Sequence, residues 1–268
     1  MVISGIIFAF NQTIECSDKI FKGVSMFKKF LSCSLILMGM SAAVVNAELV
    51  NITIWDGEGA QNEDGEVEDG CVNAQMWDLE GVFLDGGSLT MVGGYDFAGN
   101  TEFASGDLFI AVGDAPIFGV NGPGTDYENS FITNTFGYDY VIDFSDDFLT
   151  YKVISIDEKA VLEDVFYNIN NNSNPWRYVS GGTEIRSGNV SSAKYDGTYL
   201  GFAGNTHNAV TVDLSFLDGE DITTHFTMAC GNDNLMGQGS VSVPEPAVLP
   251  LLGIGLFMIG LSVRRKKS

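Results

Sequence analysis

The heptapeptide Tyr138-Asp139-Tyr140-Val141-Ile142-Asp143-Phe144 alternates in polarity with a period of two residues. Successive side chains of a β-strand point to opposite faces, so the aromatic residues and Ile142 fall on one face. Asp139, Val141 and Asp143 fall on the other face. Such alternation is typical of a strand that buries one face and exposes the other.

Seven other short runs between residues 48 and 243 are also rich in β-branched and aromatic residues. Turn sequences separate them, such as Asn121-Gly122-Pro123-Gly124 and Asp218-Gly219. No long helical periodicity occurs, although Ile154–Val165 could hold one short helix. We therefore predict an all-β domain, a β-sandwich or jelly-roll-like fold. The seven runs are Ser88–Gly94, Asp107–Val112, Leu149–Ile156, Val161–Ile169, Tyr195–Ala203, Ala209–Phe216 and Ile222–Cys230.

The chain of 268 residues is strongly acidic, with 35 Asp and Glu against 13 Lys and Arg. The basic residues are concentrated near the two ends, so the stretch from Glu48 to Pro246 holds 5 basic and 33 acidic residues, a net charge of −28. This charge repels phosphates and argues against a nucleic-acid partner. It favours solubility outside the cell, and it is compatible with binding of divalent cations.

Residues 26–47 have the pattern of a secretory signal peptide. Lys28 and Lys29 precede the apolar run Leu31–Val45, and Ala47 provides the small residue at which a signal peptidase would cut. We expect cleavage after Ala47 and an exported body that starts at residue 48. Residues 1–25 have no place before such a signal, so we expect translation to begin at Met26; a functional leader is the alternative.

Three features follow one another at the other end of the chain. The tripeptide Pro244-Glu245-Pro246 precedes residues 247–263, which are 17 uncharged apolar or small residues, near the shortest length that spans a bilayer. A basic cluster follows, which stops transfer and stays cytoplasmic by the positive-inside rule. Proline biases the residue before it toward extended structure, so the tripeptide is predicted to be extended and accessible. The cluster is Arg264, Arg265, Lys266 and Lys267.

This order of motif, short apolar helix and basic tail closely resembles the PEP-CTERM sorting signal over residues 243–268. The segment from Thr224 to Asn234 resembles one often seen before that tail. The resemblance implies that an exosortase, a membrane transpeptidase-like enzyme, handles the protein. It also implies association with exopolysaccharide and biofilm in a Gram-negative bacterium. Pro244, Glu245 and Pro246 would then be a substrate motif; a plain membrane anchor is the alternative.

Between the body, residues 48–232, and this tail, residues 233–242 are polar and rich in glycine and serine, which predicts a linker. Once the signal is removed, Cys71 and Cys230 remain, and an oxidising compartment favours one disulfide between them. That disulfide would close a loop of roughly 160 residues and add ~2–5 kcal/mol of stability. Two unpaired buried cysteines are the alternative.

Closely spaced carboxylates and glycines in an acidic loop could converge on a calcium ion. The spacing does not match an EF-hand, and a solvated acidic loop is the alternative. A similar cluster, Asp143, Asp146 and Asp147, lies at a predicted strand end. The candidate calcium ligands in the loop are Asp56, Glu58, Asp64, Glu66 and Asp69.

Neither a nucleophile-elbow motif nor an H-E-x-x-H metal motif occurs in the sequence. His207 and His225 are the only histidines, and we expect both to be structural. A glycosidase needs two carboxylates across a cleft, and the sequence cannot select such a pair among so many acids. Trp55, Trp77 and Trp176 could stack on sugar rings, with a place in the core as the alternative.

The sequence thus leads to three hypotheses for the exported body. The first is a non-enzymatic surface or matrix protein, sorted through its C-terminal tail, held at least transiently in the inner membrane and linked to exopolysaccharide. The second is a calcium-dependent adhesin or a carbohydrate-binding module. The third is a secreted hydrolase.

Overall fold

The computed structural model describes residues 49–54, 75–99, 104–117, 131–165, 173–231 and 233–243. All of them belong to one compact unit, Asn46–Glu245. These residues form an all-β structure whose helical elements are two single turns of 3-10 helix, Gln75–Trp77 and Ser215–Leu217. Among them, no helix is long and apolar enough to cross a membrane.

Fourteen strands are found in the described ranges, and all of their pairings are antiparallel. They are β1 (Val50–Asn51), β2 (Leu79–Asp85), β3 (Ser88–Gly93), β4 (Leu108–Val112), β5 (Phe131–Thr133), β6 (Tyr140–Phe144), β7 (Thr150–Ser155), β8 (Val161–Glu163), β9 (Arg177–Ser180), β10 (Thr183–Asn189), β11 (Ser191–Asp196), β12 (Thr206–Asp213), β13 (Asp221–Thr227) and β14 (Asn234–Ser240).

The strands form three sheets. Sheet 1 has the order β1-β2-β3-β12-β11, sheet 2 the order β10-β7-β6-β4-β13-β14, and sheet 3 the order β5-β8-β9. The main apolar core contains residues of sheets 1 and 2, including Val82 and Met91 from the first and Ile110 and Phe226 from the second. The two larger sheets therefore face each other across a shared core, an arrangement consistent with a β-sandwich.

The inner strands β4 and β6 of sheet 2 are covered on both faces. Ile142 and Phe144 of β6 belong to the main core, whereas Val141 packs in a second core with Leu162 of sheet 3. The two-residue alternation of β6 is confirmed, but Val141 is fully buried because sheet 3 covers the face that the sequence predicted to be polar. The half-buried Asp143 lies on this face as well.

Two stretches of chain belong to both larger sheets. In residues 50–54, β1 pairs with β2 and the following residues bond to β14, with Ile54 N donating to Met236 O at 3.0 Å. On the opposite side, β10 pairs with β7 of sheet 2, and β11, one residue later, pairs with β12 of sheet 1. Both sides of the structure are thus joined by strands that switch sheets, as in corners of orthogonally packed sheets.

The predicted linker over residues 233–242 is wrong. Residues Asn234–Ser240 form β14, which pairs along its whole length with β13. Gly237 and Gly239 occur there for close packing, because a Cβ on Gly237 would lie 2.4 Å from Val82 and one on Gly239 would lie 2.7 Å from Ile52. Glycine in this segment reflects steric need and not flexibility.

Two other predictions need correction. The run Tyr195–Ala203 is not one strand: β11 ends at Asp196, and residues 197–205 turn back as a flap across sheet 1. A two-residue turn at Leu200 and Gly201, both with positive φ, reverses the flap. The short helix considered for Ile154–Val165 does not form either, because β7 and β8 occupy its two ends. The part of Val161–Ile169 after residue 165 lies outside the described ranges.

The second core can be tested with Val141→Ala. We expect a loss of about 2 kcal/mol in the free energy of unfolding, because two buried methyl groups are removed and a cavity is left. Denaturant unfolding would measure it. Val179→Ala, at a residue 40% exposed on β9, is the matched control and should cost less than about 0.5 kcal/mol. Equal effects for the two variants would contradict the second core.

Candidate functional site

Most of the predicted site residues lie outside the described residues. These include the sorting motif Pro244–Pro246, the basic cluster 264–267, Trp55, Cys71 and the five calcium candidates in residues 56–69. Their roles remain predictions. Cys230 is described and buried in the main core, but its predicted disulfide with Cys71 is not tested. Among the described residues, no group of three acidic, histidine or cysteine side chains could hold a metal ion.

The two histidines and two of the tryptophans are described. His207 and His225 are fully buried, in keeping with the structural roles expected for them. Trp176 is also buried, and Arg177 lies over its ring at 5.7 Å. Trp77 is half-buried and packs against the main core. The tryptophans of the described ranges therefore do not form an exposed platform for sugar rings.

A buried carboxylate–histidine pair lies on the outer face of sheet 1. The Oε2 atom of Glu80 is 2.6 Å from Nδ1 of His207, and both side chains are wholly enclosed. Gln75 Nε2 donates to the other carboxylate oxygen at 3.3 Å. Burial raises the pKa of Glu80 above its usual value, while the hydrogen bond and charge of His207 act in the opposite direction.

Glu80 and His207 lie on strands that are not neighbours in sheet 1, because β3 lies between β2 and β12. Glu80 is at a bulge in the β2–β3 ladder, between Leu79 and Gly81. Across from it β3 ends at Gly93 and is followed by Gly94, and any Cβ at these two positions would clash with the backbone of residues 78 and 75. The two glycines therefore allow the chain before β2 to lie against the end of β3.

The flap seals this pair from solvent. Phe202 packs edge-to-face on Phe83, and Tyr199 lies 6.4 Å from the ring of His207. Nε2 of His207 is buried and has no hydrogen-bond partner among the described residues. The described residues thus enclose the Glu80–His207 pair completely.

Asp107 is a second buried carboxylate, and it joins sheets 2 and 3. Its Oδ1 accepts the N–H of Phe144 in β6 at 3.0 Å, and its Oδ2 accepts the N–H of Tyr178 in β9 at 2.8 Å. Its own N–H donates to Trp176 O at 2.7 Å. Burial raises the pKa of Asp107 to about 7, although both accepted N–H groups favour the ionised form.

The three residues of the predicted acidic cluster, Asp143, Asp146 and Asp147, lie in different environments. Asp143 is half-buried, and burial raises its pKa while Lys152 and Arg177 oppose that rise. Asp147 is exposed and accepts hydrogen bonds from the Ser145 hydroxyl and the Leu149 N–H within a turn. Asp146 is exposed in the same turn. Asp143 thus lies near the end of β6, whereas Asp146 and Asp147 belong to the turn that follows it.

A groove of about 260 Å³ lies beside β11. Its lining includes Asp96, Phe97, Ser192, Lys194, Asn208 and Val210. Asn208 uses its amide to hold the adjoining loop, donating to Gly94 O and Tyr95 O at 3.2 Å each. Lys194 makes no ion pair within the described residues. The groove is open and mostly apolar, with one cation at its edge.

Comparisons with known proteins give no relatives. No protein family matches the chain, and neither a curated protein nor a solved structure matches it.

Sequence reasoning missed both buried acids described above. Glu80 and Asp107 follow no motif, and the sequence contains many other acidic residues. The one available signal was the position of each acid in or next to an apolar strand, and Asp114 and Asp139 also lie next to such strands.

Replacement of Asp107 by asparagine tests its role between the sheets. Asp107→Asn puts an NH2 group opposite one of the two backbone N–H donors, so we expect a loss of roughly 1–3 kcal/mol in unfolding free energy. Asp139→Asn is the control, since Asp139 also accepts a backbone N–H, from Val112, but at an exposed position. Chemical denaturation measures both, and an Asp107→Asn cost no larger than the control would contradict this role.

The dependence of stability on pH tests the burial of Asp164. Asp164 is 4% exposed, neither of its carboxylate oxygens has a hydrogen-bond partner among the described residues, and burial raises its pKa to about 6. Because the folded pKa exceeds the unfolded value near 4, folding takes up a proton between about pH 4 and pH 6. Stability from this group therefore falls as pH rises through that window.

We therefore expect Asp164→Asn to raise the melting temperature more at pH 7.5 than at pH 4.5, as measured by thermal unfolding. Asp114→Asn, at an exposed turn, removes the same charge and is the control. Equal stabilisation at both pH values by Asp164→Asn would overturn the burial argument.

Proposed function

We propose that this chain is a non-enzymatic protein of the bacterial cell surface or extracellular matrix, exported by its signal peptide and sorted by an exosortase. The observation that carries the proposal is the order of three features at the C-terminus. These are Pro244-Glu245-Pro246, the apolar residues 247–263 and the basic residues 264–267. Association with exopolysaccharide and a Gram-negative host are part of the same proposal.

The end of the body supports this division of the chain. Beyond β14, Val241 is fully buried, its N–H donates to Glu220 O and its carbonyl accepts from Gly219. Val243 N donates to the Asp218 carboxylate at 2.8 Å. Pro244 is the next residue. The sorting motif therefore follows a firmly held part of the body with no spacer between them.

The start of the body supports it as well. The predicted signal cleavage follows Ala47, and β1 begins at Val50. Residues 50–54 are then tied at once to β2 and β14. The residues that close the two sheets on this side thus follow the predicted cleavage site.

The described interior favours a structural role over catalysis. The Glu80–His207 pair is closed off by the flap, and the oxygens of Asp107 are taken by backbone N–H groups. The body is acidic, and such a surface resists aggregation outside the cell. A β-sandwich or jelly-roll-like domain with this surface is suited to contact other molecules at the cell surface. Such a role requires no catalysis.

The test is the intact mass of the protein recovered from its native host, with the exosortase present and deleted. We expect the C-terminal tail to be missing only where the enzyme is present. Glu245→Ala should retain the tail in both strains, because the motif is lost while the apolar and basic segments remain. Detection of Arg264–Lys267 on the unaltered protein in both strains would show a plain membrane anchor and would refute sorting.

A further inference from the structure

Strand β11 is exposed on both of its faces and along one edge. All six residues from Ser191 to Asp196 are exposed, and β12 is the strand's one partner among the described strands, at the end of sheet 1. Its register with β12 is regular, without a bulge. A regular edge strand offers unpaired backbone groups to another strand.

The hydrogen-bond pattern between β11 and β12 identifies which backbone groups of β11 point away from sheet 1. Gly197 N–H donates to Asn205 O just beyond the strand, so residues 197 and 205 form a hydrogen-bonded pair. Such pairs alternate along an antiparallel ladder, which turns the groups of Tyr195 and Ala193 toward β12. The N–H and C=O groups of Ser192, Lys194 and Asp196 consequently point away from the sheet.

The side chains along β11 are complementary to those of the same strand reversed. Lys194 and Asp196 stand on either side of Tyr195. If two copies of β11 run antiparallel with Tyr195 opposite Tyr195, each Lys194 faces Asp196 of the second copy. A register centred on Lys194 would instead place two ammonium groups opposite each other, which is unfavourable.

From these observations we propose that β11 pairs with β11 of a second copy of this chain, about a two-fold axis at Tyr195. The outward groups of Lys194 and Asp196 then form the hydrogen-bonded pairs. The two Tyr195 residues form a non-hydrogen-bonded pair, in which opposing side chains are closest. Such a contact is self-complementary and closes as a dimer.

Charge explains why this contact is specific and weak. Residues 48–246 of each copy carry a net charge of −28, so two copies repel at long range. In roughly 150 mM salt that repulsion is screened beyond about 8 Å, whereas pairs in direct contact persist. Lys194 has no ion pair within its own described chain and is available to Asp196 of a second copy. The proposal does not depend on how the protein is sorted.

Sedimentation of the full-length chain in mild detergent at that salt concentration tests the pairing. We expect a concentration-dependent dimer for the unaltered protein. Lys194→Glu and Asp196→Lys should each weaken it at least about tenfold, because each opposes like charges. The double variant K194E/D196K should restore the affinity to within about threefold, since the swap re-forms both pairs.

Lys159→Glu changes the net charge equally at an exposed turn far along the chain from β11, and it should leave the dimer unchanged. A chain that remains monomeric up to roughly 1 mM, where a complex would be held by only about 4 kcal/mol, would overturn the proposal. So would a dimer whose affinity ignores the charge swap, because that dimer would use another surface.

Cross-linking tests the register independently. Tyr195→Cys places two thiols at the proposed axis, within the distance that a disulfide needs. We expect a disulfide-linked dimer in a glutathione redox buffer, seen on a non-reducing gel. Ser192→Cys is the control on the same strand, because its position faces residue 198 of the second copy and should cross-link poorly. Equal cross-linking of the two variants would contradict this register.

Discussion

The two larger sheets depend on chain segments that belong to both of them. On one side, residues 50–54 bond to β2 and then to β14, and the Asp233 carboxylate accepts the Leu79 N–H at 2.7 Å. On the other side, β10 continues into β11 with only Val190 between them, and Val190 packs against the main core. A strand that switches sheets fixes the distance and angle between them, so the core can fill in only one way.

Side chains reinforce the second of these corners. A Cβ on Gly188 of β10 would lie 2.4 Å from the Tyr151 ring, so glycine allows this ring to lie against the backbone. The Tyr151 hydroxyl accepts the Asp213 N–H at 3.1 Å, which joins β7 to the end of β12. Arg186 binds the Asp213 carboxylate at 2.7 Å and lies over the ring of Phe216. The half-exposed ion pair adds little by itself, but it acts beside a packed aromatic contact.

Closure of the sheets in this way leaves β11 at the end of sheet 1. The compact unit, Asn46–Glu245, begins and ends close to the two predicted processing signals. Buried acids such as Asp107 serve to hold sheet 3 in place, so the strongly acidic composition has two separate causes. Of the acidic side chains in the described ranges, most are exposed and keep the surface hydrated, while a few are internal acceptors for backbone N–H groups.

The sequence by itself determined the β class, the strand positions with strong alternation and the likeness of the tail to a sorting signal. These features are local: a period of two residues or a tripeptide before an apolar run can be recognised without knowing what lies nearby. The structure confirms strands over the runs beginning at Ser88, Asp107 and Ile222. It does not bear on the tail, which lies outside the described residues.

Only the tertiary structure decided which faces are buried and which acids have partners. Val141 was predicted to share a polar face, and it is buried because it is covered by sheet 3, in which β5 pairs with β8 from later in the chain. The segment 234–240 looked like a linker, and it is a strand because β13 supplies backbone partners and Val82 requires glycine opposite it. Glu80 meets His207 across 127 positions of sequence. The burial of a side chain and the pairing of a strand depend on residues elsewhere in the chain, which a local sequence pattern does not reveal.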